Sequence, residues 1–152
     1  MAALTCSTPG VTSGSLLRCR LGHRVDDVNH YRPWTVTGPG AAGITGPIEG
    51  SVHYASSSAE WRPTESKGFW VKPLFEDPQK GEKTLLMKVD PGAYAPVHTH
   101  PGELEQIYVL EGGFYDRDMT LGPGDYCCRA AGAPHESGST DGAIVLLVYT
   151  KR

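Results

Sequence analysis

The sequence predicts an all-β domain, a sandwich or small barrel, and three observations carry that expectation. Glycine and proline number 19 and 12 among 152 residues, about a fifth of the chain where roughly 12% is ordinary. Both residues punctuate helices, so long helices are excluded. Short runs of β-branched and aromatic residues recur every ~8–12 residues with turn residues between them, the spacing of sandwiches and barrels. Hydrophobic residues make up 39% of the chain, enough for a single domain of this length to bury a core without disulfides or a structural metal.

The elements follow in order. Residues 1–20 hold two arginines, no acidic residue and many Ser and Thr. That composition faintly resembles a transit peptide, and a disordered tail or a misjudged start codon is the competing reading. Asn29-His30-Tyr31-Arg32-Pro33-Trp34-Thr35-Val36 reads as one strand able to dock on a barrel. Residues 38–50, with five glycines and two prolines, read as a connector. Residues 1–50 are thus expected to form an irregular, flexible or loosely docked N-terminal arm and linker, and residues 51–152 one β-barrel domain. Within the latter, Val52-His53-Tyr54, residues 69–75, residues 84–89 and residues 105–110 read as strands. Asp90-Pro91-Gly92, Pro101-Gly102, Gly112-Gly113 and Gly122-Pro123-Gly124 read as turns. Residues 114–116 and 119–121 form a hairpin around Arg117-Asp118, and residues 126–129 and 143–149 supply the last strands.

Charge and composition exclude several functions. The formal net charge is −3 with no basic run, so nucleic acid is not an expected partner. The longest apolar run, residues 143–149, is too short to span a bilayer, so no membrane partner is expected. The four cysteines, Cys6, Cys19, Cys127 and Cys128, lack C-x-x-C spacing, and reduced thiols in a cytoplasmic protein are the plain reading.

The chemistry lies in the C-terminal third. His98 and His100 are two apart, so on an extended strand both imidazoles leave one face. Glu105 opens the next strand on the face of Ile107 and Val109, and an inward carboxylate is costly unless paired or metal-bound. Two imidazoles and a carboxylate converging on one point form a facial-triad site for a divalent metal, to which His135, after Gly132-Ala133-Pro134, adds a fourth donor from an adjacent strand. A solvent-facing H-x-H pair is the bland alternative, and Glu103, in the turn, competes with Glu105.

These offsets resemble a known family. Gly92-x5-His98-x-His100-x4-Glu105-x6-Gly112 matches the first cupin motif, and Gly124-Asp125 followed by Gly132-x2-His135 resembles the second. Ala130 stands where the family usually has proline and Ser139 where it usually has asparagine, positions that shape a turn and a capping contact. The resemblance covers residues 92–139 and implies a small antiparallel β-barrel of jelly-roll type with a metal at its mouth. Trp61-Arg62-Pro63, His98-Thr99-His100-Pro101-Gly102 and Val109-Leu110-Glu111-Gly112 are similar to the lid domain of the anti-sigma factor ChrR and to small dioxygenases of the acetylacetone and dihydroxyacetophenone type. The anti-sigma lid binds zinc and senses; the dioxygenases bind iron(II) and cleave a carbon–carbon bond. Residues 1–50 show no amphipathic helix to replace the sigma-binding domain, so a sigma-factor partner is not expected. Acetylacetone dioxygenase uses three histidines without the glutamate, and Glu105 departs from that pattern.

The resemblance therefore implies one divalent metal, Fe(II) first and Zn, Mn or Ni after it, held by His98, His100, Glu105 and His135. The leading expectation is a dioxygenase acting on a small diketone or hydroxyaryl ketone, with Glu105 and His98 carrying the chemistry. The candidate pocket wall is Tyr94, Phe69, Ile107, Val109 and Cys128 or its neighbour Cys127, since alternation lets only one of the two thiols face inward. Ordinary barrel packing competes for Tyr94 and Phe69, and a buried inert thiol for the cysteine. A zinc-binding sensor and a metal-dependent lyase or polyketide cyclase are the alternatives. Against the lyase, Ile107 stands where dimethylsulfoniopropionate lyases of this fold place a tyrosine. The protein is expected to pair as a homodimer.

Overall fold

The computed structural model describes residues 43–152 and the backbone of Thr35–Thr37. The described elements are strands apart from one 3-10 turn at Ser56–Ser58. Alternation of inward and outward side chains dictates how they assemble. In β8 (Glu103–Gly112), Glu105, Ile107 and Val109 are buried while Tyr108 and Leu110 face out. In β13 (Ala143–Lys151), Ala143, Val145 and Leu147 are buried between half-exposed neighbours. Each strand thus offers one apolar face, and two sheets close on each other to bury those faces.

The larger sheet runs β11–β8–β13–β6–β5–β2, with β6 at Glu82–Val89, β5 at Phe69–Asp77, β11 at Tyr126–Arg129 and β2 at Ile44–Thr45. Its pairings are antiparallel except β2 on β5, and the two-residue β4 (Arg62–Pro63) also pairs with β5. The smaller sheet runs β10–β9–β12–β7, with β9 at Phe114–Asp116, β10 at Met119–Leu121, β12 at His135–Gly138 and β7 at Tyr94–His98. Phe69, Val89, Ile107, Val109, Phe114 and Val145 fill the space between the sheets. This is a small antiparallel β-barrel of jelly-roll type. Separately, β1 (Thr35–Thr37) pairs in parallel with β3 (Val52–Tyr54). The rest of the strand expected at residues 29–36 lies outside the described residues, as do Cys6 and Cys19. Ile44–Thr45, within the expected connector, extends the larger sheet, and Gly46 donates its N–H to the Glu76 carbonyl at 2.7 Å.

The expected hairpin around Arg117-Asp118 is present, with Arg117 in the left-handed region at φ 52°. β12 supplies the adjacent strand expected to carry His135, and its bounds were not legible, because a four-residue strand of His, Glu, Ser and Gly carries no apolar alternation. Two turns tie the histidine-bearing segments together. The His100 carbonyl accepts the N–H of Glu103 at 3.2 Å and of Gly132 at 3.0 Å. The turn preceding His135 is thereby fastened to the backbone of His100. Ser139 caps the opposite end: its Oγ donates to the Gly113 carbonyl at 2.6 Å and accepts from Gly142 N–H at 2.9 Å.

Candidate metal centre

Strand register places the histidines. His98 ends β7 and lies directly opposite His135, the first residue of β12. His100 follows in the segment turned by Pro101-Gly102, where Gly102 takes φ +75°. The rings of His98 and His135 are 4.0 Å apart between centroids, and His100 stands 5.2 and 5.1 Å from them. One nitrogen of each lies within 4.8 Å of the other two, a spacing that one metal ion can bridge. Backbone carbonyls orient two of the rings: His98 Nδ1–H donates to Pro96 at 2.8 Å and His135 Nδ1–H to Ala133 at 3.3 Å. That fixes the tautomer and leaves each Nε2 lone pair free as a ligand. Burial, helped by Arg129 and His98, pushes the His135 imidazole down to about 4. Burial and His98 lower His100 as well. Both rings are neutral at pH 7, the state a metal requires.

Glu105 lies beside this cluster, with one oxygen 3.7 Å from His100 Nε2 and the other 3.7 Å from His135 Nε2. Both oxygens are engaged elsewhere. Arg129 and Tyr149 are its direct cross-strand neighbours on β11 and β13. Arg129 Nη1 donates to Oε2, and the Tyr149 hydroxyl donates to Oε1 at 2.6 Å. The other arm of Arg129 bonds Asp116 Oδ2, which also accepts from the Cys127 thiol at 3.5 Å. Glu105, Arg129 and Asp116 are 4, 8 and 3% exposed, so the ion-paired trio is shut from solvent. Burial raises Asp116, pushes the Tyr149 phenol up to about 12 and, with Asp116 beside it, the Cys127 thiol up to about 11. The four expected donors thus gather at one place, three converging imidazoles with the Glu105 carboxylate beside them and also ion-paired to Arg129.

The imidazoles and Glu105 line a cavity of about 190 Å³ whose other walls are largely apolar, including Phe69, Val71, Leu85, Met87, Phe114 and Leu147. Phe69 and Ile107 stand in this wall as expected. Three other expected wall residues do not. Tyr94 is 51% exposed and donates to Glu136 at 2.6 Å, because on β7 it is Ala95 that turns inward. Val109 is fully buried in the core, beyond the cavity wall. Cys128 faces out, because Cys127 and Arg129 take the inward positions of β11. Sequence reasoning missed Arg129, Tyr149 and Asp116. The alternation of Ala143, Val145 and Leu147 extended by two would have pointed Tyr149 inward; for Arg129 the signal was only its step of two from Cys127.

A jelly-roll β-barrel with three imidazoles converging at an apolar cavity defines a cupin with a candidate metal centre. The chain belongs to the family described as the ChrR Cupin-like domain, whose model matches residues 49–152. It is similar to the oxalate-binding protein of Thermotoga maritima, 39% identical over 62 residues, 36% of this chain and 51% of the relative. The chain therefore spans about half the length of that curated relative. Among solved structures it resembles KdgF from Halomonas sp., at TM-score 0.56 and 22% identity, covering 63% of this chain and 91% of that one. It also resembles a candidate acetylacetone dioxygenase from Methylibium petroleiphilum, at TM-score 0.61 and 17% identity, covering 69% and 79%. At these identities the structural likeness establishes the fold. No helix among the described residues is long and apolar enough to cross a membrane.

Proposed function

We propose that this protein is a mononuclear metal-dependent dioxygenase whose substrate is a small diketone or hydroxyaryl ketone taken up as its enolate, with Fe(II) as the metal. The observation that carries this reading is the donor set: three imidazoles converge at an apolar cavity while the nearby carboxylate is paired to Arg129. Such donors fit a divalent ion and leave its double charge uncompensated, which favours an anionic oxygen ligand over a neutral one. When bound, the ion would supply Lewis acidity toward the substrate oxygens and, as iron, access to dioxygen chemistry. His98, His100 and His135 would hold it. The remaining steps belong to the chain's own groups. Phe69, Leu85 and Leu147 surround the substrate carbons and keep bulk water out. Glu105 is the carboxylate on the cavity wall, and an oxygen lone pair not used by Arg129 or Tyr149 would accept the proton released as the ketone becomes its enolate. Tyr149 and Arg129 hold it in position, and the Tyr149 phenol, protonated at neutral pH, donates rather than competes.

Protein purified without air or added metal is analysed for its metals, loaded with Fe(II), and placed in an oxygen electrode with a panel of β-diketones and hydroxyaryl ketones. Oxygen uptake matching substrate loss is the expected result. Stoichiometric zinc in the purified protein, with no uptake above buffer by the iron-loaded form, overturns the reading. It would favour instead a zinc-holding sensor, the role the resemblance to the ChrR lid implies and the family match supports.

A further inference from the structure

Four residues that line the cavity carry hydroxyls: Thr64, Ser66, Ser137 and Tyr149. Three of these hydroxyls are provided for. Thr64 Oγ1 donates to the Ser66 carbonyl and accepts from the Ser66 N–H, both at 3.1 Å. The Tyr149 hydroxyl donates to Glu105. Ser66 is half-buried, so water can serve it. Ser137 differs from them. It is only 6% exposed, and its hydroxyl has no hydrogen-bond partner among the described residues. A buried hydroxyl left unpaired is costly and calls for a reason. We propose that Ser137 is a specificity-determining residue, its hydroxyl kept for a second oxygen substituent on the ligand that the centre holds, so that a hydroxyaryl ketone is preferred to a plain diketone.

The strand aims this group. His135 and Ser137 are both buried, while Glu136 between them turns outward to meet Tyr94. Ser137 therefore shares the face of the His135 imidazole, about 6–7 Å further along β12. Its partner on β7 is Ala95, which also lines the cavity and whose single methyl leaves room beside the hydroxyl. Phe69, Leu85 and Leu147 cannot bond an oxygen, so few groups on these walls can reward a polar substituent. A diketone spends both oxygens at the imidazole end and leaves Ser137 unpaired. An aryl ketone with one hydroxyl beside its carbonyl and another across the ring reaches both ends. Serine can donate to that distal oxygen or accept from it. The competing use of the hydroxyl is structural. Ser137 lies opposite Asp116 on β9, and Asp116 Oδ1 is buried without a partner among the described residues. Rotation toward that oxygen would make Ser137 a strut of the barrel instead.

The inference rests on the proposed substrate class, and binding rather than turnover tests it. The full chain is loaded with Co(II), and its visible absorption is titrated with 2′-hydroxyacetophenone and with 2′,4′-dihydroxyacetophenone. Both present the same carbonyl and neighbouring hydroxyl to the ion and differ only in the distal hydroxyl. Any effect of that hydroxyl on the ketone's own donor strength is common to parent and variant and cancels between them. The parent should bind the dihydroxy compound roughly five- to tenfold more tightly. Ser137→Ala should lose that preference, keep its affinity for the monohydroxy compound, and melt no lower than the parent, since no bond within the barrel is removed. Preferences that agree within about twofold in parent and variant overturn the proposal. So does a melting temperature that falls by several degrees in Ser137→Ala, because the hydroxyl would then be bonded inside the barrel. No spectral change with either ketone overturns the substrate class and the proposal with it, a result unlike that of two ketones that bind equally.

Discussion

Acidification of the metal-free protein should cost stability through His135 in a defined pH window. The ring is 3% exposed, stands 4.0 Å from His98 and shares the interior with Arg129. Burial and those charges hold its proton affinity down to about 4 from an ordinary 6.5. At about 1.4 kcal/mol for each tenfold change in affinity, that displacement is worth roughly 3 kcal/mol. The unfolded chain binds the proton below 6.5 and the folded protein only near 4, so the unfolded state holds more protons between those values. Stability therefore falls as pH drops from about 6.5 to about 4 and levels off below. His100 is displaced in the same direction and adds to the fall. Asp116 is displaced upward, so its folded carboxyl takes a proton first and offsets part of the loss at the acid end. Urea denaturation of chelator-treated protein between pH 7.5 and 4.5, beside His135→Gln, isolates the effect. The parent should lose stability across the window and the variant should lose about 2.5 kcal/mol less by pH 4.5. Equal pH slopes in the two proteins would refute the buried, neutral assignment of His135.

Two further outcomes are expected. His98→Ala should lose bound metal while far-UV circular dichroism keeps its β signature, because the apolar core does not include that ring; equal metal in variant and parent by elemental analysis would exclude His98 as a ligand. Gly92→Ala and Gly112→Ala should differ sharply although both residues take positive φ, +75° and +72°. An added Cβ at Gly92 meets nothing within 4 Å, so the cost is the left-handed backbone alone, about 1–2 kcal/mol. At Gly112 it would lie 2.0 Å from the Gly142 carbonyl oxygen, backbone that cannot swing aside, so the loss should be clearly larger. Equal melting temperatures for the two variants would contradict the packing described for β8 against the turn before β13.

The sequence by itself determined most of the barrel and the identity of the imidazoles. Alternation in residues 105–110 and 143–149 names the inward face of both central strands, because a period of two is a local property. His98 and His100 share a face for the same reason. β12 was less legible, since its short polar run is a strand only by virtue of pairing with β7 and β9. The fate of Glu105 belonged wholly to tertiary structure. Its partners, Arg129 and Tyr149, lie 24 and 44 residues away and meet it only through the register of β11 and β13 on β8. Spacing along one strand fixes which way a side chain points. Which charge it faces is fixed by strands that arrive later in the chain, and at this centre an arginine from such a strand pairs with the carboxylate beside the three histidines.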